Sequence, residues 1–329
     1  MLTEKENLLR IHRGEEPEWL PNANFRDVKC SAFVDVKAPG YHKDEFGVEY
    51  IGKDEIFGGA PIPMPGKYVL HDITRWRDVI KAPDMSGFDW EQQAKKDLAD
   101  IDRENTGIMF YFGKTFQRLC DFMGFEEGLC AMMEEPEEVY ALFDYLTDFN
   151  VEVLKNFIHY YKPEAVCIPD DTATARNPFI SLPTFRELVL PFYKRIAEVV
   201  HDGGVYLHKH DCGHCEAFIP DWMNEMGVCG WNPAQPSNDL AGIKKTWGNK
   251  LIIAGGWDTQ GPVAVGDVTE QELKDMLAEY VDTLAPGGGF IFSAYVGGSF
   301  RDPETKKKNQ IVTDFYNDYA KPWYKNHRS

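Results

Sequence analysis

The chain has 329 residues and carries 35 basic against 53 acidic side chains, a formal charge of −18. So acidic a balance argues against duplex DNA, RNA and anionic membranes as partners, because phosphate binding needs clustered Lys and Arg. Apolar residues are 43% and charged residues 27%, the mixture of a globular chain long enough to bury a core without disulfides.

The N-terminus, MLTEKENLLRIHRGEEPEW, is charged throughout and has no apolar signal core, which points to the cytoplasm. Residues 1–72 are rich in Gly, Pro and aromatics and read as an irregular N-terminal extension of loops and short strands. A helical pattern starts near Ile73. Residues 136–161 predict one long amphipathic helix with Pro136 in its first turn. Five apolar runs follow, each leading into a helix-like segment except the last: AVCIPDD (165–171), GVYLHKH (204–210), VCGWN (228–232), KLIIAGGWD (250–258) and FIFSAY (290–295). Pro191 predicts a kink or a helix start within the segment after the first run. This rhythm, without a dinucleotide-type glycine loop, predicts parallel βα units closed into a (β/α)8 barrel, one domain over 1–329. No apolar run is long enough for a membrane span.

Polar residues cluster where these runs end: Asp170 and Asp171, His208 and His210, Asn232, Asp258, then Ser293 and Tyr295. Barrel enzymes build their sites at the C-terminal ends of the strands, so Asp170, Asp171 and Asp258 are candidate catalytic carboxylates. Each alone reads equally as a cap or loop residue. The segment LHKHDCGHC (207–215) holds three of the nine His and two of the seven Cys. His and Cys are the preferred zinc ligands. On a strand, His208 and His210 share a face, and Cys212 follows as the strand turns over, so the three are expected to converge on one metal. An open position would make that metal catalytic.

Cys212-Gly-His-Cys215 has the spacing of a disulfide exchanger or a structural zinc module, but Asp211 beside it works against an activated thiol. The odd Cys count fits reduced thiols. Gly113-Lys114-Thr115 lacks the upstream glycine of a phosphate loop, and no GxSxG elbow is present.

The combination PDDTATARNPFISLPTFRELVLPFYKRI, LHKHDCGH, LIIAGGWD and APGGGFIFSAY resembles the uroporphyrinogen decarboxylase superfamily, which comprises the decarboxylase and zinc-dependent, corrinoid-linked methyltransferases on (β/α)8 barrels. The likeness spans roughly residues 73–329, with LLRIHRGEEPEW similar to the family's opening. The decarboxylase's Arg-rich segment is missing; Arg10, Arg13 and Arg26 are scattered. The coenzyme M branches carry a further Cys on the last strand, where this chain has Ser293. DEFGVEY, GKTFQRL, GGWD and PGGG resemble the methyltransferase that opens anaerobic O-demethylation.

That resemblance implies methyl transfer from a methoxylated aromatic to a partner corrinoid (cobalamin-type) protein, assisted by Zn2+. It implies a metal set drawn from Glu187, His208, His210 and Cys212, with an acidic ligand near Asp170 or Asp171. It gives Phe112, Phe116, Trp257 and Tyr295 as ring-stacking candidates. Another corrinoid- or thiol-dependent methyltransferase, a decarboxylase-like enzyme, and a CxxC redox or zinc module are the alternatives.

Overall fold

The computed structural model describes residues 2–38, 40–52, 61–259, 261–265, 268–299 and 301–327. Strand β1 (Arg26–Asp27) precedes four short strands, β2 (Asp35–Ala38), β3 (Tyr41–Lys43), β4 (Glu49–Ile51) and β5 (Ile62–Pro63). These are followed by β6 (Ile108–Tyr111), β7 (Ala165–Pro169), β8 (Tyr206–His210), β9 (Gly230–Ala234), β10 (Ile252–Gly255) and β11 (Phe290–Ile291). Among the helices used below are α1 (Glu4–His12), α2 (Phe116–Met123), α3 (Pro136–Tyr161), α4 (Leu182–Leu188), α5 (Leu190–Asp202), α6 (Leu240–Trp247) and α7 (Pro262–Val265).

Strands β1 and β6–β11 form one parallel sheet in the order β1-β6-β7-β8-β9-β10-β11. The sheet curls until the Phe292 amide, just past β11, donates to the Pro21 carbonyl at 2.8 Å. The architecture is thus a parallel α/β half-barrel of seven strands. An eighth strand and a ladder from β11 to β1 are not among the described residues.

Residues 1–72 are more than an appendage. They contribute β1 to the main sheet, and β2–β5 form a separate antiparallel sheet. Buried Arg118 on α2 ties that small sheet down by ion pairs to Asp44 and Glu45. Tyr50 donates to Asp121 of α2 at 2.8 Å.

Strand alternation sorts the core into two layers. Phe110, Val166, Ile168, Leu207, Trp231, Ile253 and Phe290 pack outward under the helices. Met109, Ala165, Cys167, Ile252, Ala254 and Ile291 pack with Leu8 and Ile11 of α1, which plugs the N-terminal end of the sheet. Helix α3 covers the predicted residues, with Pro136 in its first turn and Lys162 closing it in left-handed backbone at φ 50°. Pro191 lies in the first turn of α5, directly after α4 ends. Among the described residues no helix is long and apolar enough to cross a membrane, and all seven cysteines are free.

Candidate metal centre

Asp171 follows the end of β7, His210 ends β8, and Cys212 lies in the turn beyond it. One ligand atom from each falls within 4.8 Å of the others. The Asp171 Oδ1 stands 3.7 Å from His210 Nε2, and Cys212 Sγ stands 3.8 Å from the same nitrogen. The Cys212 amide donates to Asp171 Oδ1 at 2.7 Å, which fixes the turn.

His210 is oriented from behind. Asn232 Nδ2 donates to the Tyr111 hydroxyl at 3.1 Å, which turns the amide oxygen toward His210 Nδ1 at 2.9 Å. Nδ1 therefore carries the proton, and Nε2 presents its lone pair to Cys212 and Asp171. Metal-bound histidines are oriented in this way. Burial pushes the His210 pKa down, so the ring is neutral at pH 7. Burial pushes the Cys212 thiol well above its ordinary value, and Asp171 and Asp211 push it further. Such a thiol ionises only beside a cation. A carboxylate, a neutral imidazole and a thiol held this way are the donor set of a zinc ion. The residues therefore fit the group that the resemblance implies.

Two cavities meet at Cys212 and Ala173. The first, about 450 Å³, has apolar walls from Ile62, Pro63, Tyr68, Phe125 and Phe179, with Gln117, Asp121 and Asp171 as its polar groups. The second, about 590 Å³, is lined by Gln235, Ser237, Gly255, Gly256, Trp257, Asp258, Ser293 and Tyr295.

The remaining candidates are distributed differently. His208 does face the barrel interior with His210, but one layer deeper. It pairs in register with Cys167 and Gly230, whereas His210 pairs with Pro169 and Asn232. Two residues of strand separate the rings by roughly 6.6 Å, too far for one metal. His208 Nε2 instead meets His12 Nε2 at 2.8 Å. Its Nδ1 is buried without a partner, at a cost of about 1–3 kcal/mol for such an atom. Glu187 is exposed on α4 and lies outside both metal-type clusters.

Asp170 is fully buried and turned away from the cavities. Its Oδ2 accepts from the Thr115 and Phe116 amides and the Tyr193 hydroxyl, and its Oδ1 accepts from the Gln117 amide. It is the anchor of the α2 N-terminus. This also explains why Gly113-Lys114-Thr115 is no phosphate loop: an internal carboxylate already fills the anion position. Asp258 lines the second cavity with its carboxylate against Gly261, just before α7.

Trp257 and Tyr295 line the second cavity, linked by a 2.9 Å bond from the indole to the Tyr295 carbonyl. Phe116 is fully buried, its ring 6.1 Å from that of Phe179 in the first cavity's wall. Phe112 packs on Phe33, Phe110 and Phe149, beside a separate pocket.

The redox reading of the CxxC finds no support in the geometry. Cys215 is buried beneath the turn, and burial and Asp211 push its thiol far up. Sequence reasoning missed Tyr111, the apolar wall from the small sheet and α2, and His12. The strand-end position of Asn232 was the one available signal.

A curled parallel α/β sheet with a His–Cys–carboxylate cluster at its C-terminal rim defines a TIM-barrel-like protein whose rim residues could hold a metal ion. The family model described as Uroporphyrinogen decarboxylase (URO-D) matches residues 88–304, well over half of the chain, and the chain belongs to that family. Among curated proteins none matches. Among solved structures, a methyltransferase from Methanosarcina mazei aligns with TM-score 0.62 at 12% identity, over 96% of this chain and 100% of that one. A rutinosidase from Aspergillus niger aligns at TM-score 0.39 and 9% identity, over 74% of this chain and 76% of that one. At 12% identity the likeness to the methyltransferase is one of fold.

Proposed function

We propose that this protein is a zinc-dependent methyltransferase that takes the methyl group of a methoxylated aromatic and passes it to a corrinoid carried by a partner protein. The observation that carries the reading is the clustering of Asp171, His210 and Cys212 beside two cavities, with Asp171 in the wall of the first and Cys212 in the walls of both. The family and the full-length fold likeness to a methyltransferase support it.

In this reading the first cavity takes the arene, held flat between Tyr68, Phe125, Phe179 and the Ile62–Pro63 strand, which together keep water off the ether. Asp171, His210 and Cys212 would hold a zinc ion, which would supply Lewis acidity at the ether oxygen, needed because phenolate is a modest leaving group, with a parent pKa near ~10. Asn232 and Tyr111 keep the His210 Nε2 lone pair aimed at the cluster. Asp171 and Cys212 lend it negative charge. Trp257 and Tyr295 wall the second cavity, which would admit the corrinoid. Among the described residues, the first cavity is lined by Asp121 and Asp171 and by no Lys or Arg. That argues against a polycarboxylate tetrapyrrole as substrate.

The test is anaerobic incubation of zinc-loaded protein with cob(I)alamin and a panel of methoxyarenes, read as the spectral conversion to methylcobalamin. The expected result is conversion with at least one arene, lowered on the order of 100-fold by Cys212→Ser, since ligand loss removes the Lewis acid. Conversion with thiol, amine or pterin methyl donors alone would replace the arene. Full conversion by Cys212→Ser would end the zinc reading.

A further inference from the structure

We infer that the base of the barrel holds a second metal site, formed by His12, His208 and Cys229 and suited to a thiophilic divalent ion such as zinc. One ligand atom from each of these residues lies within 4.8 Å of the others. They come from three elements: α1, β8 and the residue before β9. The site is independent of the Asp171–His210–Cys212 cluster, which shares none of these side chains.

His12 is set up as a ligand. Its Nδ1 donates to the Leu8 carbonyl at 2.7 Å, so its Nε2 carries the lone pair. A backbone carbonyl behind the ring is a common way of fixing the tautomer of a metal-bound histidine. That lone pair points at His208 Nε2, 2.8 Å away, with the rings stacked at 5.0 Å and 20°. The fold makes room for the second ring at a price in sequence freedom. Gly230 lies flat beneath His208, and a Cβ there would overlap the imidazole.

Packing alone does not account for this arrangement. An apolar side chain would fill the same space without leaving His208 Nδ1 buried and unpartnered. At that distance His208 Nε2 donates to His12 Nε2 and leaves its own Nδ1 as the bare nitrogen; an ion taking the place of the shared proton would be met by both Nε2 atoms. Cys229 adds sulfur beside them. Its thiol reaches the Leu207 carbonyl at 3.3 Å and rests on the edge of a cavity of about 280 Å³, also lined by His12, Arg13, Gly14 and Asn249. That cavity is the way in from solvent, and it leaves room for water as a fourth ligand. Two imidazoles and a thiolate match zinc in softness and number. An ion there would pin α1 across the floor of the sheet.

The experiment is zinc titration of the full chain, with cobalt(II) as a spectroscopic substitute. Wild type is expected to bind two zinc ions, and the double variant His210→Ala/Cys212→Ser one. Adding Cys229→Ser or Cys229→Ala to that background should remove the remaining ion. It should also abolish the thiolate-to-cobalt charge-transfer band and the rise in Tm that zinc produces. His12→Gln should act in the same direction. A folded double variant that binds no zinc, or one whose ion survives Cys229→Ser, would overturn the inference. The double variant lacks the first cluster, so this outcome is read separately from the methyl-transfer reading.

Discussion

Asp170→Asn separates an anchoring carboxylate from a catalytic one. The buried carboxylate accepts three backbone amides at 2.6–2.7 Å and the Tyr193 hydroxyl at 2.6 Å. An asparagine retains one acceptor oxygen. If that oxygen keeps the three donors at Oδ2, its NH2 faces the Gln117 amide, and a buried donor goes unpaired at about 1–3 kcal/mol. The other three bonds lose their charge assistance, roughly half their strength, or about 0.5–1 kcal/mol each. Against this, burial already raises the pKa of the carboxyl, so neutralising it relieves desolvation. The balance is a loss of about 2–4 kcal/mol. Urea unfolding followed by circular dichroism measures it without any substrate. A loss below about 1 kcal/mol, accompanied by lost methyl transfer, would refute the anchoring role and return Asp170 to the chemistry.

Three further outcomes are expected. Asn232→Ala frees the His210 ring and should weaken zinc binding at the first cluster about 10–100-fold; unchanged affinity in a competitive titration would show that Asn232 does not set the tautomer. Gly230→Ala drives a methyl group into His208 and should cost about 1–3 kcal/mol in thermal unfolding; a neutral substitution would mean the ring moves freely. Lys244 on α6 donates to the Gly288 carbonyl while burial lowers its pKa to about 8 from 10.5. Between those values the unfolded chain holds more protons, so wild-type stability rises with pH across that window. Lys244→Met should therefore gain about 1 kcal/mol at pH 7, allowing for partial exposure and the lost hydrogen bond. That advantage should shrink above pH 8; a gain that grows with pH would reverse the sign of the argument.

The sequence carries the fold unevenly, for physical reasons. β7–β11 announce themselves because strands buried on both faces are continuous apolar runs. β1 does not, since Arg26 and Asp27 are both exposed. α1 looks like a charged surface helix, although Leu8 and Ile11 close the barrel floor. In the site, alternation gives the face of a side chain but not its depth. His208 and His210 share a face, and only the register with β7 and β9 reveals that they lie in different layers. Asp170 and Asp171 are adjacent, yet one is turned in under α2 and the other toward Cys212. The position of Glu187 ahead of His208 says nothing about where on α4 it lies.

β8 shows how one short segment serves three ends. Its inward residues, two apart, place one imidazole at the floor beside His12 and another at the rim beside Cys212. The residue between them must face outward, yet it is Lys209, fully buried. Its ammonium donates to the Asp170 carbonyl at 2.6 Å and the His210 carbonyl at 2.8 Å, and pairs with Asp211 at 3.2 Å. The rings of Tyr193 and Trp222 lie 5.5 and 5.4 Å away. A buried cation at that point fixes the backbone on both sides of the rim histidine and the carboxylate that leads into the Cys212 turn. A leucine at 209 would pack, but it would leave Asp211 buried without its cation and the Asp170 carbonyl without the ammonium's hydrogen bond. The rigidity that holds Asp171, His210 and Cys212 within reach of one ion therefore comes from behind the strand, from side chains that touch neither cavity.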